Sequence, residues 1–335
     1  MENALRRRIL PVIILLALVS GCAVKPGVES APVGGDLMET YSSPVPETAE
    51  VPREEAERPD VPDHSSCSLD YAEASGDAGL LCVYDGVKHE CILDLPKESR
   101  GAPLVLMLHG YGGSALGFRR DTAFEQTANP RGYAVAYVTG APSPEDPTSS
   151  TCWNSGIAAS GNRDVEFLCA LANYLCGTYG FDADRVFAAG FSNGAFMTHR
   201  LAVEAYDIFA AVVSVTGMMP ENIWKECPDR CSVGVFQITG EKDDAIPKNS
   251  DGSAKYAKAP AIENVMEYYV RANGLGPAAE TCTVGNNGLL VKYSSDQTQK
   301  QVWDLSIPDG RHSWPGEKIT GIRTNELILE FLETQ

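Results

Sequence analysis

From about Leu80 to its end the chain alternates short apolar runs with longer amphipathic stretches. Runs at Leu80–Tyr84 and Lys88–Leu95 flank Asp85-Gly86, a two-residue hairpin signal. Further strands are predicted at Leu104–His109, Tyr133–Thr139, Val186–Phe191, Ala211–Val215, Val233–Thr239 and Gln301–Ile307. Several are unbroken apolar runs, the pattern of strands buried on both faces of a parallel sheet. Between them, Val165, Leu168, Cys169, Ala172, Leu175, Cys176 and Tyr179 share one stripe at helical spacing. Helices are also predicted over Asn193–Ala205, Ala259–Ala272 and Ile322–Leu332. The alternation implies one domain with a mostly parallel, doubly wound α/β sheet and an antiparallel entry hairpin.

The first 64 residues read differently. Arg6-Arg7-Arg8 form a basic start and Ile9 to Val19 an apolar run, shorter than the roughly 20 residues of a membrane-spanning helix. Val19-Ser20-Gly21-Cys22 resembles a bacterial lipobox, which implies export, cleavage before Cys22 and lipid attachment to that cysteine. Residues 23–64 carry seven prolines and acidic clusters such as Glu54-Glu55 and Glu57, with few large apolar residues. Such a stretch buries too little surface to offset its ordering entropy. The expected organisation is therefore a signal peptide at 1–21, a flexible tether at 22–64 and a catalytic domain at 65–335. The tether's mean reach is about 35 Å. The membrane partner is reached through Cys22, with the domain on the periplasmic or outer side.

Charge removes one class of partner. The net charge is −18 and becomes −20 once residues 1–21 are cleaved, so phosphate backbones are repelled and no nucleic-acid role is expected. Export also lets the nine cysteines beyond Cys22 pair, so disulfide bonding is expected, with at least one thiol left over. Cys169 and Cys176 are excluded as a pair, being roughly 10.5 Å apart along one helix. Cys227 and Cys231 could meet across the Pro-Asp-Arg turn between them. No CxxC pair or HExxH occurs, and neither metal nor cofactor is expected.

The chemistry concentrates in four loops. Gly190-Phe191-Ser192-Asn193-Gly194 joins an apolar strand to a helix-like stretch. Flanking glycines permit a strained strand-to-helix turn that projects a serine hydroxyl, and the helix start offers free N–H groups to an oxyanion. Leu106-Met107-Leu108-His109-Gly110-Tyr111-Gly112-Gly113 ends a strand in a glycine-rich loop. In an α/β-hydrolase such a loop supplies an oxyanion donor beside the N–H of Asn193. Tyr111 N–H is the first choice and Gly112 N–H the second. After the strand ending at Thr239, Gly240-Glu241-Lys242-Asp243-Asp244 offers an acid, Asp243 being preferred to Asp244. His312 is the sole histidine beyond the acid, so Ser192, Asp243 and His312 follow the chain order of this fold. His109 ends a strand, His199 lies seven residues along the nucleophile's helix, and His64 and His89 read as surface residues.

Together these motifs resemble the polyhydroxybutyrate-depolymerase-like and feruloyl-esterase-like group of carbohydrate esterase family one. The resemblance is carried by HGYGGSA at 109–115, CWN at 152–154, RDVEF at 163–167, RVFAAGFSNGAFMTHRLA at 185–202, GEKDDAIP at 240–247 and HSWPG at 312–316. It covers the chain from about residue 80 onward. It departs from the family at Glu241, where threonine is usual, and at Arg311, where glycine is usual. The resemblance implies a serine esterase. Its substrates would be feruloyl or acetyl esters of polysaccharide fragments, or hydroxyalkanoate oligomers. Trp153 and Trp314, in loops beside the motifs, are candidate substrate contacts for an aromatic acyl group. A prolyl-oligopeptidase-like peptidase and a non-catalytic surface-binding lipoprotein are the rival expectations. Sequence does not indicate the oligomeric state.

Overall fold

The computed structural model describes residues 62–335 except 77–78, 149, 158–160, 247, 249–258 and 278–279. The signal segment, Cys22 and nearly all of the tether lie outside the described residues.

The described chain opens with the ribbon β1 (Tyr71–Ser75), β2 (Gly79–Tyr84) and β3 (Val87–Asp94). Next come β4 (Leu104–Leu108), helices α1 (Ala115–Thr122) and α2 (Glu125–Ala128), and β5 (Ala134–Val138). A small pair, β6 (Ala141–Pro142) and β7 (Thr151–Cys152), precedes α3 (Asp164–Tyr179), β8 (Val186–Phe191), α4 (Asn193–Glu204) and β9 (Ala211–Val215). Then follow α5 (Glu221–Lys225), β10 (Gly234–Gly240) and α6 (Ile262–Ala272). The chain closes with β11 (Glu280–Val284), β12 (Gly288–Ser295), β13 (Thr298–Ile307), α7 (Glu317–Thr320) and α8 (Thr324–Leu332).

Eleven of the described strands form one sheet in the order β1-β2-β3-β5-β4-β8-β9-β10-β13-β12-β11. The six from β5 to β13 run parallel, and each flank is an antiparallel ribbon. This is the α/β-hydrolase arrangement that the alternation of elements predicts. The flank β11–β12 was not anticipated. Its strands lie at the sheet edge and are half exposed, so they carry no strong apolar pattern.

Alternation within each central strand feeds two cores. Leu104, Leu106 and Leu108 of β4 pack with α3, α4 and α6, while Val105 and Met107 pack with α1, α2 and α8. Each such fully buried aliphatic contributes on the order of 1.5–3 kcal/mol. The predicted stripe of α3 is buried at Val165, Leu168, Cys169, Ala172 and Leu175. That helix stops at Gly180, whose φ of +71° suits the left-handed cap that closes it.

The expected disulfides do not form: all nine described cysteines are free thiols. Cys82 and Cys91 face the same core but are diagonal, with Leu80 opposite Cys91 and His89 opposite Cys82. Diagonal positions sit roughly 7–8 Å apart, beyond disulfide reach. Near Cys227 and Cys231, the first thiol contacts Ile223 O and Met219 Sδ, and the second lies 3.8 Å from the Tyr268 hydroxyl. Turn proximity alone therefore did not bring the two sulfurs into bonding contact.

Two histidines read as surface residues are docked instead. His89 is 3% exposed, stacks on Phe167 at 3.7 Å and bonds Thr139 O at 3.1 Å. His64 is partly buried, with Nδ1 2.9 Å from Asp207 Oδ1. Among the described residues, no helix is long and apolar enough to cross a membrane, and no group of three side chains is placed to hold a metal.

Candidate active site

The loops that follow β4, β8, β10 and β13 open at the carboxyl ends of parallel strands, where this class of sheet presents its ligands. The turn between β8 and α4 is tight. Ser192 adopts φ +53° and ψ −116°, a strained conformation for a residue with a side chain. A Cβ on Gly190 would overlap Gly194 O, and one on Gly194 would overlap Leu108 O. Gly190 thus lets helix α4 fold back against β8 and Gly194 lets it seat against β4, with the serine left at the tip.

Ser192 Oγ lies 2.9 Å from His312 Nε2, and His312 Nδ1 lies 2.8 Å from Asp243 Oδ2. The other oxygen, Asp243 Oδ1, accepts the N–H groups of Ala245 and Ile246 at 2.9 and 2.8 Å. The Asp243 side chain is 1% exposed, whereas that of His312 is 22% exposed. Asp244 points to solvent. Phe191 packs beside the imidazole, with ring centroids 5.0 Å apart. An imidazole held on one nitrogen by a carboxylate, with a serine hydroxyl on the other, can take the serine proton as the oxygen attacks a carbonyl.

The N–H groups of Asn193 and Tyr111 bond no acceptor among the described residues, so both are available to an oxyanion. Gly112 N–H, the second choice, is already donated to Thr151 O at 2.8 Å. A Cβ on Gly110 would stand 3.3 Å from Ser192 Cβ, which places the glycine-rich loop directly beside the serine.

The remaining sequence candidates lie outside the hydrogen-bonded line of Ser192, His312 and Asp243. Trp153, expected to touch substrate, is fully buried, and its indole Nε1–H donates to His109 O at 3.0 Å. Trp314 packs edge-on against Phe118 and donates to Asn325 Oδ1. It lines a depression with Thr122, Pro315 and Asn325 that contains none of Ser192, Asp243 and His312. His109 and His199 are both buried, and desolvation lowers each imidazole to a pKa of about 4, so both are neutral supports. His199 Nε2 meets Gln237 Oε1 at 3.1 Å, inside the fold.

Sequence reading missed the supports of the CWN loop. Asp164 is 1% exposed and accepts Asn154 N–H at 2.6 Å, and burial raises its carboxyl to about 6. Arg200 reaches Asn154 O at 2.5 Å and pairs with Glu204. The CWN and RDVEF motifs signalled these positions, but nothing in their residue types disclosed that one motif braces the other.

Fold and site together define an α/β-hydrolase-fold enzyme of the serine-hydrolase kind. The family model described as Esterase PHB depolymerase matches residues 93–227. "Putative esterase NocK" of Nocardia uniformis subsp. tsuyamanensis is 31% identical over 248 residues, 66% of this chain and 68% of that protein. The chain belongs to this Esterase PHB depolymerase family of α/β-hydrolase esterases. It is also 27% identical over 225 residues to "Acetylxylan esterase" of Coprinopsis cinerea, covering 63% of this chain and 59% of that one. Its match to "Feruloyl esterase B" of Thermothelomyces thermophilus is 29% over 120 residues, 35% of this chain and 39% of that one. The chain thus spans less than two thirds of both polysaccharide-esterase relatives. The solved structure titled "Acetyl xylan esterase from Aspergillus awamori" superposes with a TM-score of 0.54 at 14% identity, over 74% of this chain and 94% of that one. At that identity it speaks to the fold alone.

Proposed function

We propose that this protein is an exported serine carboxylic-ester hydrolase, anchored by lipid at Cys22, that removes small acyl groups from polysaccharide fragments. The observation that carries the reading is the hydrogen-bonded line Ser192–His312–Asp243. Ser192 is the nucleophile, His312 the general base and then acid, and Asp243 the group that holds the imidazole and stabilises its charged form. Ser192 Oγ bonds to the ester carbon as its proton passes to His312 Nε2. The N–H groups of Asn193 and Tyr111 hold the oxyanion, each worth on the order of 3 kcal/mol of barrier. The alcohol leaves with the proton from His312, and water, deprotonated by the same nitrogen, releases the acid and restores Ser192.

The acyl group is inferred by elimination. Trp153 is fully buried and offers no aromatic face to a hydroxycinnamoyl group, and the depression that Trp314 lines contains none of Ser192, Asp243 and His312. A compact acetyl group fits better, in keeping with the names of the acetylxylan esterase relatives. Tyr111 is 48% exposed at the rim, its hydroxyl bonded to Ser143 and facing Glu145, and it offers a face for sugar on the alcohol side. The test is a panel of acetylated xylan oligomers, methyl ferulate, hydroxybutyrate oligomers and a peptide anilide. Acetyl esters should be cleaved fastest. Preference for the anilide would instead favour a peptidase, and silence on every ester together with no fluorophosphonate labelling would favour a binding protein.

A further inference from the structure

The two oxyanion donors belong to different loops, one after β4 and one after β8, so their spacing depends on whatever ties those loops together. That tie is a buried chain of hydrogen bonds through Trp153. Asn193 is buried, 6% exposed as a residue, and its side chain grips the backbone of residue 153 on both sides. Its Oδ1 accepts Trp153 N–H at 2.7 Å, and its Nδ2 donates to Trp153 O at 3.2 Å and to Ser155 Oγ at 2.9 Å. From this clamp the indole reaches across and donates Nε1–H to His109 O at 3.0 Å. Gly140 lets the two loops approach, since a Cβ there would overlap the carbonyl of Cys152, the residue before this clamp.

His109 carries the tie one residue further. Gly140 N–H, which can only donate, bonds His109 Nε2 at 2.9 Å, so the ring proton sits on Nδ1. Nδ1–H donates to Gly110 O at 2.6 Å, and Gly113 N–H reaches the same oxygen at 3.0 Å. Gly110 C=O and Tyr111 N–H are the two ends of one planar trans peptide and point in opposite directions. Fixing the oxygen on the side of His109 and Gly113 therefore turns the Tyr111 N–H the other way.

We propose that Trp153 is a positioning residue that sets the separation of the Asn193 and Tyr111 N–H donors, with His109 orienting the second donor. The inference rests on the reading of Ser192 as nucleophile and of these N–H groups as its oxyanion hole. Oxyanion donors act most strongly in the transition state, so loosening them lowers kcat and leaves KM nearly untouched.

The test uses the full-length protein and an aryl acetate, with active sites counted by fluorophosphonate titration. Trp153→Phe keeps a large ring and removes only the donor edge. Per titrated site it should lose roughly tenfold in kcat with KM within about twofold. Its Ki for a trifluoromethyl ketone, which forms a tetrahedral adduct, should rise by the factor that kcat/KM falls. His109→Gln should show the same split, and combining the two should cost less than the product of the single losses. If Trp153→Phe fails to fold, His109→Gln carries the same kcat, KM and Ki comparison alone. Unchanged kcat per site, or a rise in KM with unaltered Ki, would overturn the inference. Ser192→Ala in the same assay separates the two claims: inactivity there leaves the reaction assignment standing whatever Trp153 does.

Discussion

Asp243 reaches His312 with only one of its oxygens: Oδ2 lies 2.8 Å from Nδ1, while Oδ1 is held by two backbone N–H groups of its own loop. The carboxylate is thus oriented before the imidazole arrives, and its neighbour Asp244 faces solvent. Asp243→Asn should lower turnover by roughly 10³–10⁴, because the amide favours the wrong imidazole tautomer. Asp244→Asn should stay within about twofold of wild type. Steady-state kinetics of the two variants on one ester decides it, and the reverse ranking would place the acid at residue 244.

How far the site was legible follows from the same loop. The order Ser, Asp, His and the strand-loop context were readable because apolar runs mark the strands and the motif residues sit at their ends. The direction of a buried ring was not. Trp153 stands in a conspicuous motif, yet its partner His109 is 44 residues away in sequence. Helix α1 escaped notice because only Ala115, Phe118 and Thr122 of its eight residues are buried, beside two arginines. Cysteine counting failed for a related reason: parity and compartment say nothing about the distance between two sulfurs.

Thiol chemistry checks that correction. Alkylation in denaturant without prior reduction, followed by peptide mapping, should label each of Cys67, Cys82, Cys91, Cys152, Cys169, Cys176, Cys227, Cys231 and Cys282. The melting temperature should be the same with and without reductant. A pair that reacts only after reduction would contradict the free-thiol arrangement.

Acid stability has a definite sign. Burial lowers His89, His109 and His199 to about 4, so between roughly pH 6.5 and 4 the unfolded chain binds more protons than the native one. Each histidine therefore costs on the order of 3 kcal/mol as the pH falls through that window. Burial raises Asp164 and Asp304 to about 6, so these two gain stability as the pH falls from about 6 to 4 and oppose the trend. Three groups outweigh two, and urea midpoints should fall between pH 6.5 and 4. Asp304→Asn removes one opposing group and should steepen that fall. A midpoint that rises toward pH 4 in the wild type would refute the assignment of neutral buried histidines.

Anchoring is tested at its source. The intact protein expressed in a bacterium should partition into detergent with fatty-acyl mass on Cys22. Cys22→Ala should abolish the acylation and leave ester hydrolysis unchanged. A mature chain that begins elsewhere and carries no lipid would rule the anchor out.

The most direct measurement compares Ser192→Ala, His312→Ala and the double variant on a short aryl ester. Groups that act as one unit lose activity together, so all three should fall to a similar residual rate rather than to the product of two losses. Mass spectrometry of the wild type during turnover should find the acyl group on the peptide containing Ser192. Full esterase activity in Ser192→Ala, or an acyl group on any other residue, would contradict the account.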